Sequence, residues 1–364
     1  MNRAARRAGV VAGVAGLVAA GAAVGLAAER YAIGRIRGGP DAAAGEPFGR
    51  LRADRTRTVT ASDGIPLHVE EVGPATAPLT VVFVHGYSLS MGSWHYQRLG
   101  LADMRNPRTR MVFYDQRSHG RSGRAPSEGA SIDQLGRDLD AVLADLAPSG
   151  PVVLVGHSMG GMTIMALVDQ HPEYFGRRVV GVALLSTSTG RLAEVTLGLP
   201  ALLAKLRAPI VPLLLRGARS RAALVERSRK IGSDIAWLLT RRYSFASKDV
   251  SPALVEYVGQ MIAATPVDVI ADFYPALHSH DKLASLGALR DVETLILVGE
   301  KDLLTPVEHS RAMAAELSSA ELVVVEAAGH LAMMERAPLV NLRLRAFLHR
   351  AARAGAGNRS QRKA

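Results

Sequence analysis

One ten-residue string constrains this chain more than any other: Val152-Val153-Leu154-Val155-Gly156-His157-Ser158-Met159-Gly160-Gly161. Four consecutive apolar residues suit a strand buried on both faces. A helical pattern follows from Met162 to Gln170. Between them lies Gly-x-Ser-x-Gly, a turn too tight for side chains on its flanks, hence the glycines. Such a turn lifts the Ser158 hydroxyl clear of the sheet edge. It also sets Ser158 at a helix N-terminus, where the Met159 N–H is free to donate to a developing oxyanion.

The rest of residues 38–349 fits a sheet around that strand. Arg57 to Thr60 and Ile65 to Val72 flank Asp63-Gly64, a hairpin turn signal. Further short runs occur at Leu79–Val84, Arg110–Tyr114, Val179–Leu185, Leu295–Val298 and Leu322–Val325. Helical patterns separate them at Ile132–Leu146, Val307–Leu317 and Leu339–His349. Strands alternating with helices predict an α/β fold, a mostly parallel open sheet of about eight strands flanked by helices. Residues 189–281 have no strand runs and are broken by Pro200, Pro209 and Pro212. They are read as a helical cap inserted into a core of 54–188 and 282–349.

A serine hydroxyl near neutral pH needs an imidazole base, and the base needs a carboxylate to fix its tautomer. Asp302 follows one strand run (Val298-Gly299-Glu300-Lys301-Asp302) and His330 follows the next (Val325-Glu326-Ala327-Ala328-Gly329-His330). Strand C-termini of an open α/β sheet share one crevice, so Ser158, Asp302 and His330 can converge there. Glu300 is the alternative acid. His157 is read as packing beside the nucleophile, His85 as a turn residue and His119 as a loop residue. His278 and His280 are read as part of a polar loop, not a metal pair.

These residues resemble the α/β-hydrolase superfamily, in its serine-nucleophile, cap-bearing, esterase- or lipase-like form. Val84-His85-Gly86-Tyr87 is similar to the family's His-Gly-x turn after the third strand, which implies that Tyr87 supplies a second oxyanion N–H. Asp115 to Ser122 is similar to the family's Asp-x-Arg-x-x-Gly-x-Ser loop and is read as structural. A serine rather than an aspartate nucleophile disfavours dehalogenase and epoxide hydrolase activity. The resemblance implies a carboxylic ester or lipid-like acyl substrate, turned over through an acyl-enzyme without metal or cofactor. A carbon–carbon bond hydrolase and a cofactor-free perhydrolase or haloperoxidase-like enzyme use the same three residues. A catalytically silent, membrane-tethered binding module is the reading from another class.

Composition narrows the partners. The chain has 364 residues, a net charge of +11 and no cysteine. A disulfide scaffold and cysteine-based metal or nucleophile chemistry are therefore excluded. Most of the charge sits at the two ends, leaving residues 38–349 near neutral, which argues against nucleic-acid binding. Ala8 to Ala28 is free of charge. As a helix it would span ~31 Å, close to the thickness of a bilayer's hydrocarbon core. Residues 1–37 are read as a membrane anchor, with a cleaved secretory signal or a cytoplasmic protein with a frayed N-terminal helix as alternatives. Residues 38–53 are read as a linker and 350–364 as a basic disordered tail. The Leu-rich run from Leu197 to Leu215 suggests an apolar acyl channel or plain cap packing. Arg216, Arg219 and Arg221 weakly favour acidic or lipid substrates.

Overall fold

Each short strand run read between Arg57 and Val325 becomes a strand, and the order in which they pair sets the position of the site. The computed structural model describes residues 41–198 and 234–361, together with Gly34, Gly38 and Gly217. The strands are β1 (Arg55–Thr60), β2 (Pro66–Val72), β3 (Leu79–Val84), β4 (Thr109–Tyr114), β5 (Val152–His157), β6 (Val179–Leu185), β7 (Glu293–Gly299) and β8 (Glu321–Val325). They form one eight-stranded sheet in the order β1-β2-β4-β3-β5-β6-β7-β8. β2 runs antiparallel to both β1 and β4, and all other neighbours are parallel. The β1–β2 hairpin turns at Asp63-Gly64, where Gly64 takes φ +87°, a backbone state that glycine enters without strain.

β3, β5 and β6 are buried along their whole length, so their side chains serve two cores. Val81, Phe83, Val153, Val155, Leu295 and Leu297 face one side. Val82, Val84, Leu154, Val182, Leu184 and Ile296 face the other. Each such side chain contributes roughly 1.5–3 kcal/mol by leaving water. The helices flanking this sheet are α1 (His95–Gly100), α2 (Ile132–Leu146), α3 (Met159–Gln170), and, after the insertion, α7 (Val307–Glu316), α8 (Ala332–Glu335) and α9 (Ala337–Gln361). Ser131 caps α2 by accepting the Gln134 N–H at 3.1 Å.

The insertion between β6 and β7 contributes α4 (Asp234–Ser244), α5 (Pro252–Ala264) and α6 (Val267–Ser279). Its return to the sheet is marked by the pairing of Gly190 with Asp281. A third core sits where α6 meets α2 and α3: Val269, Phe273 and Leu277 pack on Leu135, Met159 and Met162. Most of the Leu197–Leu215 run, with Arg216, Arg219 and Arg221, lies outside the described residues, as does Ala8–Ala28. Among the described residues no single helix is long and apolar enough to cross a membrane.

Two readings of the ends need correction. The 350–364 segment is not a disordered tail throughout, because α9 continues to Gln361. Phe347 and Ala351 are buried, and Gly181 lies so close to both that it has no room for a Cβ. Arg350 pairs with Glu293 at 2.6 Å and also with Glu321. The contact surface there is built from alanine and glycine, which leaves no apolar periodicity to read. The 38–53 segment is not a free linker from Asp41 onward. The Asp41 carboxylate accepts the Ala253 N–H at 2.8 Å and the Ser251 hydroxyl. Glu46 meets His95 at 2.8 Å, and Phe48 stacks on Tyr257 of α5 with ring centroids 4.7 Å apart.

Candidate active site

The β5–α3 junction is the most constrained turn of the fold. Ser158 has φ 52° and ψ −120°, a region that costs a non-glycine residue about 1–3 kcal/mol. Its neighbours hold it there. The Ser158 N–H donates to the Leu185 carbonyl at 3.0 Å. The Ser158 carbonyl accepts the Thr187 hydroxyl at 2.7 Å and the Gly161 N–H at 2.9 Å. A Cβ on Gly160 would overlap the Val84 carbonyl, and one on Gly156 would lie 2.6 Å from the Gly160 oxygen. The glycines read from the sequence are therefore required by backbone contact.

Gly86 lies directly over this turn, since a Cβ there would come within 3.2 Å of the Ser158 Cβ. The neighbouring N–H groups of Tyr87 and Met159 donate to no acceptor among the described residues. The Tyr87 hydroxyl reaches into the cap and donates to the Ile270 carbonyl of α6. Burial pushes its ionisation far up, so it stays a neutral donor.

The structure brings Asp302 and His330 into contact across 28 residues of sequence. The His330 Nδ1 lies 2.8 Å and 3.0 Å from the two Asp302 carboxylate oxygens. Asp302 also accepts the N–H groups of Leu304 and Thr305 at 2.9 Å and the Thr305 hydroxyl at 2.8 Å. Its side chain is fully buried, and these donors replace the water it has lost. A carboxylate facing Nδ1 fixes the proton there and leaves Nε2 as an acceptor. The His330 ring packs against that of His157, the residue before Ser158, with centroids 4.8 Å apart. The His157 Nε2 faces the His330 carbonyl at 3.1 Å, and burial keeps its imidazole neutral, well below the ordinary histidine range.

Glu300, the alternative acid, is exposed and accepts the Ala327 N–H at 3.1 Å, away from the imidazole. His85 and His119 tie loops together. The His85 Nδ1 donates to the Gly86 carbonyl at 2.8 Å and its Nε2 accepts the Gln116 N–H at 2.9 Å. The His119 Nε2 accepts the Ser88 N–H at 3.2 Å. Burial lowers their pKa values to about 4 and about 3. Arg117, in the Asp115–Ser122 loop, is fully buried and bonds both Asp138 and Asp63 at 2.6–3.0 Å. That is a structural clamp. His278 bonds the Tyr274 carbonyl of its own helix at 3.0 Å. Among the described residues no group of His, Cys, Asp or Glu could hold a metal ion.

Two contributors escape sequence reading. Thr305 holds Asp302 from three residues away, a local pattern that nothing in the composition flags. Glu335 accepts N–H groups from two distant pieces of chain: Gly329 at 2.7 Å, and Ala246 and Ser247 at 3.0 Å and 2.6 Å. It joins the loop carrying His330 to the end of α4. Two of its partners are backbone groups 88 and 89 residues earlier in the chain, which leave no side-chain signature.

A strained serine between strand and helix, and a buried His–Asp pair beyond the ends of β7 and β8, mark this fold as that of an α/β hydrolase. The family model described as alpha/beta hydrolase fold matches residues 80–337, and the chain belongs to that family. It is a hydrolase by that membership. It is 26% identical to a proline iminopeptidase from Pestalotiopsis fici over 79% of this chain and 98% of that protein. It is 26% identical to a non-heme haloperoxidase from Rhodococcus erythropolis over 80% and 98%. A thermophilic esterase from Thermogutta terrifontis superposes with a TM-score of 0.63 at 25% identity, covering 82% of this chain and 99% of its own.

Proposed function

We propose that the chain is a serine hydrolase of carboxylic esters, with Ser158 as nucleophile, His330 as base and Asp302 as its orienting acid. The single observation that carries the reading is the buried Asp302–His330 pair, with its imidazole packed against the residue next to the strained Ser158. The Ser158 hydroxyl oxygen adds to the ester carbonyl while its proton passes to the His330 Nε2. The tetrahedral oxyanion accepts the N–H groups of Tyr87 and Met159, each worth ~2.7–4 kcal/mol in sites of this kind. Collapse expels the alcohol, which takes the proton from His330. Water, deprotonated by the same imidazole, then releases the acid and restores Ser158.

Neither metal nor cofactor enters these steps. The alternative of peroxide replacing water at deacylation, which would give a peracid, draws support from the haloperoxidase relative. An ester panel run with and without peroxide separates the two. Labelling by a fluorophosphonate tests the core of the proposal. The intact chain reacts, and Ser158→Ala neither reacts nor turns over p-nitrophenyl esters, a fall of about five to six orders of magnitude. Retained turnover in purified Ser158→Ala overturns the assignment. Residues 8–28 are proposed as a membrane anchor on length and apolarity alone. Release of the full chain by a carbonate wash contradicts that.

A further inference from the structure

The mechanism above leaves one charged groove unused. It has a volume of about 550 Å³ and lies where the end of α4 and the turn after it meet the β7–α7 loop. Arg241, Arg242 and Lys248 line it from the cap, and Lys301 lines it from the core, one residue before Asp302. Both acidic lining residues are already engaged: Glu300 with the Ala327 N–H, and Asp302 with His330 and its own loop. Arg242, Lys248 and Lys301 have no ion-pair partner among the described residues. Arg241 donates through Nη2 to the Lys248 carbonyl at 2.6 Å, yet its Nε is buried without an acceptor. Four cations share the groove with two carboxylates, so positive charge is in excess there, and a buried N–H without an acceptor is costly to keep. An anion in the groove offsets that excess charge.

The groove is also mechanically joined to the catalytic loop. The Ser244 carbonyl accepts the Leu331 N–H at 2.9 Å, and Glu335 binds Ala246, Ser247 and Gly329 together. Phe245 and Leu303 add apolar wall beside the cations, which suits a chain ending in a charge more than a free inorganic ion. We propose that this groove binds the anionic end of the acyl substrate, a carboxylate or phosphate carried on the ester. The proposal rests on the serine-hydrolase reading and adds the substrate class.

The test compares p-nitrophenyl butyrate with mono-p-nitrophenyl esters of dicarboxylic acids of increasing length, in the full chain and in the double variant Arg242→Glu/Lys301→Glu. The expected result is a kcat/KM preference for an anionic ester at a favoured length, weakening as salt rises. In the double variant the anionic-to-neutral ratio falls about tenfold or more, the sum of two partly exposed ion pairs and their reversal. An unchanged ratio in the variant overturns the groove. So does binding to phosphatidylglycerol vesicles that the variant loses, if no soluble anionic ester is preferred, because the cations then serve a membrane surface. Turnover of the neutral ester with no anionic preference removes the groove and leaves the function standing. Turnover of no ester at any length removes both.

Discussion

The rim of the sheet and the insertion above it are built on different physical terms. Around Ser158 the closest contacts are backbone to backbone: Gly160 against Val84, Gly156 against Gly160, Ser158 against Leu185. Such contacts tolerate no side chain and almost no displacement. The insertion is held mainly by apolar packing and by side chains reaching out to carbonyls and charges. Tyr87 bonds Ile270, Arg124 pairs with Asp268, Lys282 pairs with Asp133 and Asp169, and Glu335 gathers Ala246 and Ser247. Packing joins the two as well: Phe273 and Val269 lie on Met159 and Met162, and Trp237, Phe245, Val255 and Val258 of the insertion share the first core with the sheet. The difference teaches where each kind of function can live. A nucleophile needs a position fixed to a fraction of an ångström. A substrate pocket needs contacts that can be exchanged without disturbing that position.

The sharpest way to break this contrast is Asp302→Asn. The asparagine oxygen still accepts from Leu304 and Thr305, but its amide donates toward His330 and moves the imidazole proton to Nε2. Ester kcat should fall by about four orders of magnitude with little change in KM. A loss below tenfold in steady-state kinetics would mean that Asp302 does not orient the base.

Glu335→Gln probes the joint between the two regions. Its amide nitrogen meets an N–H where a carboxylate oxygen stood, so one of three buried donors loses its acceptor. We expect a stability loss of about 1–3 kcal/mol in denaturant titration. If Glu335 positions His330, kcat falls and its pH profile shifts. If it only holds the cap, KM alone rises.

The smallest effect concerns acid. His85 and His280 have their pKa lowered to about 4, and His119 to about 3, chiefly by burial. Above the ordinary histidine pKa of 6.5 both folded and unfolded chains are neutral there, and no stability is lost. Below it the unfolded chain takes up protons that the folded chain refuses, so stability falls with pH from about 6.5 down to about 4. His85 and His119 belong to the rim, while His280 closes the insertion at its return to the sheet. His280→Gln should flatten the slope of the denaturation midpoint against pH slightly and leave most of it. Removal of the whole slope by that change would put the acid-sensitive element in the insertion.

Legibility followed the same division. The strands, the turn at Ser158 and the places of Asp302 and His330 were open to reading, because a doubly buried strand writes continuous valine and leucine, and a tight turn writes glycine. The packed segments at 41–53 and 350–361 were not. Asp41, Glu46, Phe48 and Ala351 carry no periodicity, and their meaning comes from α5, α1 and β6, which lie far away in sequence. Thr305, Glu335 and the groove around Arg242 escaped for the same reason.

What the amino-acid order determined by itself was local: which stretches bury both faces, where only glycine fits, and which side chains have the chemistry to attack, abstract and orient. What tertiary structure decided was adjacency, namely that an imidazole meets a carboxylate 28 residues away and that cations from cap and core share one groove. The physical reason is range. Backbone preference and hydrophobic periodicity act over a few residues, while hydrogen bonds and charges pair whatever the fold delivers to within a few ångströms.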